Sequence, residues 1–374
     1  MLVEVHSKLA EIRRKRGMSA SRLASLADVS RQAIYAIESA SYVPNTTVGL
    51  KLARALDVPL EEIFELELDT PRPLRTTEVI PILDGEELRA GQPLQLCLVN
   101  RRPVAVVPES SAQGLSRVDA VLMEDSSKAK ATARVKVLDE SWREDNRVLI
   151  AGCDPSATLV AHHMQPKGFD LVITYQNSSR ALDLLKDGLV HIAGTHLSDK
   201  KTGESNLPQV ARMFGKNSVA VIAFAVWEEG VVVARGNPKN ITGIADFARR
   251  DVRITNRELG AGCRFLLDSN LQKLGIVPEA VKGYDCIALG HLPAARQVKI
   301  GESDCCISTR AAAQVFALDF IPVASKRYDL VIRKNNLRLP QVQVLIEILG
   351  KTAVRREIES VTGYDMQASG ERIL

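Results

Sequence analysis

A chain of 374 residues exceeds what one hydrophobic core normally serves, so two or three domains are expected, and 45% hydrophobic content excludes a disordered chain. The net charge of +4 says little globally, but residues 1–56 hold nine Lys/Arg against four Asp/Glu, a local excess that suits a polyanionic partner. No charged-then-apolar signal segment opens the chain, and the longest clean apolar run, Val219 to Trp227, falls far short of the roughly 20 residues of a membrane span, so no membrane partner is expected. The six cysteines (97, 153, 263, 286, 305, 306) show no paired CxxC spacing and the histidines no cluster. A zinc site or other cofactor is therefore not expected, and free thiols in a reducing cytoplasm are.

In chain order, the first helix is expected over Val3–Arg16, ending near Gly17 with the run Arg13-Arg14-Lys15-Arg16. Ser19 is placed to cap a second helix with apolar Leu23, Ala24, Leu26 and Ala27. Ala27-Asp28-Val29 makes a turn, and Ser30 caps a third helix with Ala33, Ile34 and Ile37 on its buried face. That helix carries Arg31, Gln32 and Tyr35 outward. Arg pairs bidentately with guanine and Gln with adenine, so these residues in a first turn suit base reading in a major groove. A helix follows over Thr46–Leu56, with Leu50, Leu52, Ala53 and Leu56 apolar, then a last turn from Pro59 through Phe64. Asp57, Glu61, Glu62 and Glu65 offset most of the basic excess, giving a basic face and an acidic back.

The segment RxxxGMS…LAxxxxVSRQAIYAIE…YVPN…LKLARALDVPLEEIF resembles the Cro and phage-repressor-like (XRE-type) helix-turn-helix family over nearly all of residues 1–66. The resemblance implies that Ser30–Ser39 enters the major groove with Ser30, Arg31, Gln32 and Tyr35 nearest the DNA. Arg22 and Thr46 complete the candidate DNA-binding set. Ala20 and Ala40 depart from the family's usual Gln and Gly.

Residues 67–146 read as a linker with Pro71, Pro73 and Pro81, then a small β-rich connector with strands at Leu94–Val99, Val104–Val107 and Ala133–Leu138, and an exposed loop over Asp125–Ala133. From residue 147 to 374, strands and helices alternate, as in open α/β sheets. Strands are expected at Val148–Ala151, Leu171–Tyr175, Val190–Gly194, Val219–Val226, Val231–Ala234 and Asp329–Ile332, with helices at Ser178–Asp187 and Arg264–Leu274. The segments AGCDPS (151–156), NSSRALDLLKDGLVHIAGTHL (177–197), VVVARGNPKNITGIADFA (231–248) and NRELGAGCRFLLDSNLQKLGI (256–276), with the closing stretch from 320 to 349 and GYD (363–365), resemble the type II periplasmic-binding-protein fold, nearest to the molybdate-transporter type. The resemblance implies two lobes joined by crossing strands, here Val231–Ala234 and Tyr328–Ile332, with a ligand between them. The expected fold is thus multidomain: an all-α helix-turn-helix head, a small β-rich connector and a two-lobed α/β binding-protein-like domain.

Three strand-to-helix openings are candidates for the ligand site: Asp154-Pro155-Ser156, Asn177-Ser178-Ser179 and Gly260-Ala261-Gly262-Cys263-Arg264. Glycines and helix N-termini there favour an anion, with Arg264 as counter-charge and Arg257 as a clamp. His196, His291 and Trp227 are further candidates, and Cys263 at a helix N-terminus beside Arg264 would be a reactive thiol if exposed. The resulting expectation is a cytoplasmic transcription regulator: a homodimer or higher homo-oligomer bound to two half-sites of double-stranded operator DNA, sensing a small anionic ligand. By resemblance the ligand is a molybdate- or tungstate-like oxyanion, with a small carboxylate as the other class. An enzyme using the cleft, through a Cys263–His291 dyad, and a ligand-delivery module are the alternatives. No catalytic set is visible.

Overall fold

The computed structural model describes residues 4–39, 41–67, 74–83, 87–108, 116–126, 131–144, 146–197, 204–215 and 217–374. Ala40, Pro71, Pro73 and much of the loop expected over Asp125–Ala133 lie outside them. The chain divides into two units, Met1–Leu74 and Arg75–Leu374.

In the first unit, capping decides where the helices begin. Helix α1 (Leu9–Lys15) leads to α2 (Ala20–Ala27), where Ser19 Oγ accepts from Arg22 N at 3.2 Å. Helix α3 (Arg31–Glu38) opens on Ser30, whose Oγ accepts from Ala33 N at 3.0 Å, and α4 (Thr46–Leu56) opens on Asn45, whose Oδ1 accepts from Val48 N at 3.0 Å. Asp28 closes α2 in the left-handed region at φ 51°, so the turn is made without glycine. Leu9, Leu23, Ile34, Ile37, Leu52, Leu56 and Ile63 form the core, each fully buried. Burying such side chains stabilises by about 1.5–3 kcal/mol apiece. Leu26 and Leu50, counted among the apolar positions from their spacing, point outward at 57% and 56% exposure. After α5 (Leu60–Ile63) the chain forms strand β2 (Phe64–Glu67), antiparallel to β1 (Glu4–Ser7). The helix expected from Val3 therefore starts at Leu9, because residues 4–7 give their backbone to this two-stranded sheet.

The second unit opens with a closed barrel of β3 (Thr76–Pro81), β4 (Pro93–Val99), β5 (Arg102–Val106), β6 (Ala120–Leu122) and β7 (Ala133–Val137), in the order β3-β5-β4-β6-β7. Pro81, read as linker, ends β3 instead. Val79, Leu94, Leu96, Val135 and Trp142 fill the interior. The outward residues Cys97, Val99, Val104 and Val106 join one hydrophobic cluster with Leu149, Val172 and Leu185 of the α/β body. Arg147 binds Asp119 through Nη1–Oδ2 at 2.6 Å with both side chains buried, a second tie between barrel and body.

The body is an eight-stranded sheet, β13-β12-β14-β11-β15-β10-β8-β9. One lobe holds β8 (Arg147–Gly152), α6 (Ala157–Met164), β9 (Asp170–Tyr175), α7 (Ser178–Lys186), β10 (Ile192–Thr195) and α8 (Leu207–Phe214). Strand β11 (Val219–Val233) then crosses to the second lobe, made of β12 (Ile254–Arg257), α9 (Gly262–Leu274), β13 (Ile287–Ala288), α10 (His291–Lys299), β14 (Cys305–Thr309) and α11 (Arg310–Val315). Strand β15 (Asp319–Arg333) crosses back, and α12 (Pro340–Leu349) and α13 (Thr352–Thr362) finish the first lobe. Strands β11 and β15 pair antiparallel along their whole length, from Val219↔Arg333 to Val233↔Asp319. The two strands expected at Val219–Val226 and Val231–Ala234 are thus one, and both crossings are longer than expected. Trp227 and Glu229 lie near its middle rather than at a strand end. Strand β8 is buried at every position, which fits its near-continuous apolar run.

Candidate functional site

On the first unit, Arg31, Gln32 and Tyr35 all face outward from α3. Arg31 Nη2 donates to Tyr35 Oη at 3.0 Å, and its guanidinium carbon lies 5.4 Å from the centre of that ring, so the two side chains hold each other one helical turn apart. Ser30 is occupied as the cap, while Arg22 on α2 and Thr46 at the start of α4 are exposed. The basic run is a different matter. Arg13 forks onto Glu38 at 2.6 and 3.0 Å and onto the Met18 carbonyl at 2.8 Å, Lys15 pairs with Glu11, and Arg16 donates to the Asp57 carbonyl. Much of that charge is engaged in ties within the fold, and Arg13 locks α1 onto α3.

In the second unit the chain ends of several elements meet between the lobes. Cys153 follows β8, His196 follows β10 and Ser178 opens α7, all from the first lobe. Gly262 opens α9, His291 opens α10 and Ser308 lies in β14 of the second lobe, and the crossing strands add Trp227, Glu229 and Tyr328. Trp227 stacks on Tyr328 with ring centres 4.7 Å apart, and His196 lies 5.0 Å from Trp227 and 5.7 Å from His291. His196 Nδ1 is 3.5 Å from Cys153 Sγ and 3.2 Å from Ser178 Oγ. Glu229 Oε1 accepts from Trp227 Nε1 at 3.3 Å and stands 3.2 Å from His196 Nε2, out of line for a hydrogen bond. His196 Nε2, His291 Nε2 and Glu229 Oε2 are buried without a partner. The lobes touch above this floor, where Asn177 Nδ2 donates to the Leu259 carbonyl and Ser179 Oγ to that of Gly260, each at 3.3 Å.

Burial sets the charge state of the floor. Desolvation pushes His196 down to about 3 and His291 well below the usual imidazole range, with Arg257 adding to both shifts, so both rings are neutral. Glu229 is pushed up to about 7 and Asp154 to about 6, again chiefly by burial. The Cys153 and Cys263 thiols are likewise raised. Cys263 is buried, with Sγ 3.8 Å from His291 Nδ1, and the expectation of a low-pKa reactive thiol is overturned because desolvation outweighs the nearby positive charge.

The fold gathers Ser178, His196, Trp227, Gly262, Cys263 and His291 around this floor, but places the other candidates differently. Helix α9 begins at Gly262, so Gly262 and Cys263 belong to the helix rather than to the loop before it. Asp154 accepts from Ser156 N, Ser156 Oγ and Tyr364 Oη and forms an internal knot, so neither Asp154 nor Ser156 is offered to a ligand. Arg264 donates to Asp268 and to the Arg257 carbonyl and lies over Tyr284, its guanidinium carbon 4.2 Å from the ring centre, and does not line the cleft. Arg257 does line it, almost wholly buried and forked onto Glu258 at 2.9 and 3.0 Å. A cavity of about 1060 Å³ reaches the floor at Cys153, Arg257 and His291 and is walled further out by Asn177, Ser179 and Leu289. Cys153, Glu229, Tyr328 and Ser308 were not among the candidates. A carboxylate in the midst of the apolar run of β11 was the one legible signal, since such a residue is seldom buried without a task. The lack of CxxC spacing did not keep Cys153, His196 and His291 apart either, because they come from three separate segments.

A capped helix-turn-helix unit and a two-lobed sheet with a polar interlobe floor define a DNA-binding regulator joined to a ligand-binding domain of the periplasmic-binding-protein type. The chain belongs to the PBP superfamily domain family, whose model matches residues 160–350, and a helix-turn-helix family model matches residues 9–63. It is similar to the uncharacterized protein YvgK of Bacillus subtilis (strain 168), 35% identical over 228 residues that make up 61% of this chain and 73% of that one. The head is similar to YgzD of the same strain, an uncharacterized HTH-type transcriptional regulator, at 36% identity over 61 residues, 16% of this chain and 92% of that one. Among solved structures, the sulfate-binding protein SubI of Mycobacterium tuberculosis H37Rv aligns with a TM-score of 0.43 and 16% identity, over 58% of this chain and 86% of that one.

Proposed function

We propose that this chain is a one-component transcription regulator that binds operator DNA as a homodimer in the cytoplasm and responds to a small anionic ligand held between its two lobes. The observation that carries the reading is the interlobe floor. The N-termini of α7, α9 and α10 converge there, and the buried guanidinium of Arg257 borders the cavity. Helix N-termini and an arginine favour an oxyanion or a carboxylate alike. Molybdate or tungstate and small carboxylated metabolites are therefore the two ligand classes, and closure of the lobes on either would be the signal.

The test measures binding of the full chain to duplexes from its own upstream region, alone and with molybdate, tungstate, sulfate, phosphate or small carboxylates, alongside thermal unfolding. A ligand at about 100 times its dissociation constant adds roughly 2.7 kcal/mol of stability. One anion that raises the melting temperature and shifts DNA affinity supports the reading. DNA binding that no anion alters, with no thermal response, overturns the anion assignment. Absence of sequence-specific DNA binding overturns the regulator.

A further inference from the structure

The interlobe floor holds more coordinating capacity than the protein itself uses. One donor atom each from Cys153, His196 and His291 lies within 4.8 Å of the other two, and all three side chains are buried. His196 Nε2 and His291 Nε2 have no hydrogen-bond partner. Leaving such a group unpaired away from solvent is costly, and buried polar atoms of folded proteins are nearly always satisfied. His196 turns Nδ1 to the Cys153 thiol at 3.5 Å and Nε2 toward Gly262, so it is the bare Nε2 of His291, clustered with that thiol and imidazole, that calls for an occupant.

The surroundings also orient the rings. Ser308 Oγ donates to the His291 carbonyl at 3.1 Å and lies 3.4 Å from His291 Nδ1, so its oxygen can accept the Nδ1 proton and leave Nε2 as a bare lone pair. Ser178 Oγ accepts from the His196 backbone N–H at 3.1 Å and stands 3.2 Å from His196 Nδ1, fixing that ring against α7.

We infer that Cys153, His196 and His291 form a three-ligand site for a borderline-soft divalent metal ion such as zinc, with a fourth position open toward the cavity. One sulfur and two imidazoles select zinc and its neighbours over magnesium or calcium, which take oxygen ligands. Cys153 Sγ and His196 Nδ1 are 3.5 Å apart, close to the roughly 3.5 Å edge that usual zinc–sulfur and zinc–nitrogen bonds give in a tetrahedron. Binding exchanges the Cys153 S–H bond for a sulfur–metal bond and releases one proton to solvent, while the neutral imidazoles have none to lose. Glu229 is the adjacent carboxyl, and Cys263 stands behind His291. Cys153 and His196 come from one lobe and His291 from the other, so the ion would tie the lobes together. The inference does not depend on the anion reading, although an ion in the floor would add to the positive field that reading uses.

The experiment strips the full chain with a chelator under reducing conditions and titrates it with cobalt(II), then displaces the cobalt with zinc. One equivalent with a thiolate-to-cobalt charge-transfer band, accompanied by release of one proton, is expected. The band should vanish in Cys153→Ser, persist in Cys286→Ser, whose thiol is exposed, and affinity should fall at least about a hundredfold in His291→Gln. If Cys153→Ser does not fold, His196→Gln joins His291→Gln as the second test. A band that survives Cys153→Ser, an affinity unchanged by both histidine variants, or no stoichiometric binding overturns the site. Failure of metal binding with an anion still raising the melting temperature would remove the metal site and leave the anion reading standing, and metal binding with no anion response would do the reverse.

Discussion

A side chain at Gly262 would collide with His196: a Cβ built there falls 2.2 Å from Nε2 of that ring. The first residue of α9 in one lobe thus fits against the end of β10 in the other only because it is glycine. Gly262→Ala should hold the lobes apart or displace the imidazole. We expect a loss of about 1–3 kcal/mol in stability, as for overpacked cores, with a larger radius of gyration by solution scattering. An unchanged radius and unchanged stability would show that the lobes do not close on this contact.

Gln32→Ala removes an exposed amide from α3, the helix proposed to read the operator. Operator affinity should fall by about 1–3 kcal/mol with relaxed preference at one position, while the melting temperature stays the same. Fluorescence anisotropy on single-base operator variants measures both, and unaltered affinity would move the reading helix elsewhere.

Within the basic run, Arg13 and Arg14 should behave differently. Arg13 is largely buried and forked onto Glu38, whereas Arg14 is exposed. Arg13→Ala should cost about 1.5–3 kcal/mol of stability, the range for hydrogen bonds to charged groups, and Arg14→Ala at most about 0.5 kcal/mol. Urea unfolding of the two variants decides it.

Asp139 accepts from Ser141 N and binds Arg117, which hold its carboxyl down at about 2. A lowered carboxyl stabilises the fold above the ordinary value of 3.8, and the contribution is lost as pH falls from there through about 2. Asp139→Asn should therefore unfold at lower urea than the parent at neutral pH, with the gap closing as pH drops below about 4. A gap that stays constant with pH would assign the effect to packing.

The buried pair Arg147–Asp119 should be worth most when broken from one side. Arg147→Met leaves the buried Asp119 with only the Leu96 N–H at 2.8 Å and the more distant Arg117 guanidinium at 3.7 Å. It should cost about 3 kcal/mol, and adding Asp119→Leu should recover part of that loss. Chemical denaturation of both variants checks the order.

Much of this architecture was readable because caps and periodicity are local. Ser19 and Ser30 mark two helix starts, and the α/β alternation marks the sheet. What local pattern could not show is pairing between distant segments. Residues 4–7 look helical in isolation and become a strand only because Phe64–Glu67 pairs with them. The same limit hid the floor of the cleft. Histidines 196 and 291 could be singled out, but nothing near either one in sequence reveals that Cys153 and Glu229 stand beside them. Arg264 was misplaced for a related reason, since a helix face cannot be oriented before its partners Asp268 and Tyr284 are known.

The barrel shares its outer apolar residues with the first lobe and is pinned to it by Arg147 and Asp119, so the two are packed as one body. Leu289 and Pro293 of the second lobe lie across the cavity from Leu83, Val107 and Pro108 beside the barrel strands. The cleft thus has a third wall, which two lobes alone would not supply, and a ligand entering it meets barrel residues as well as both lobes.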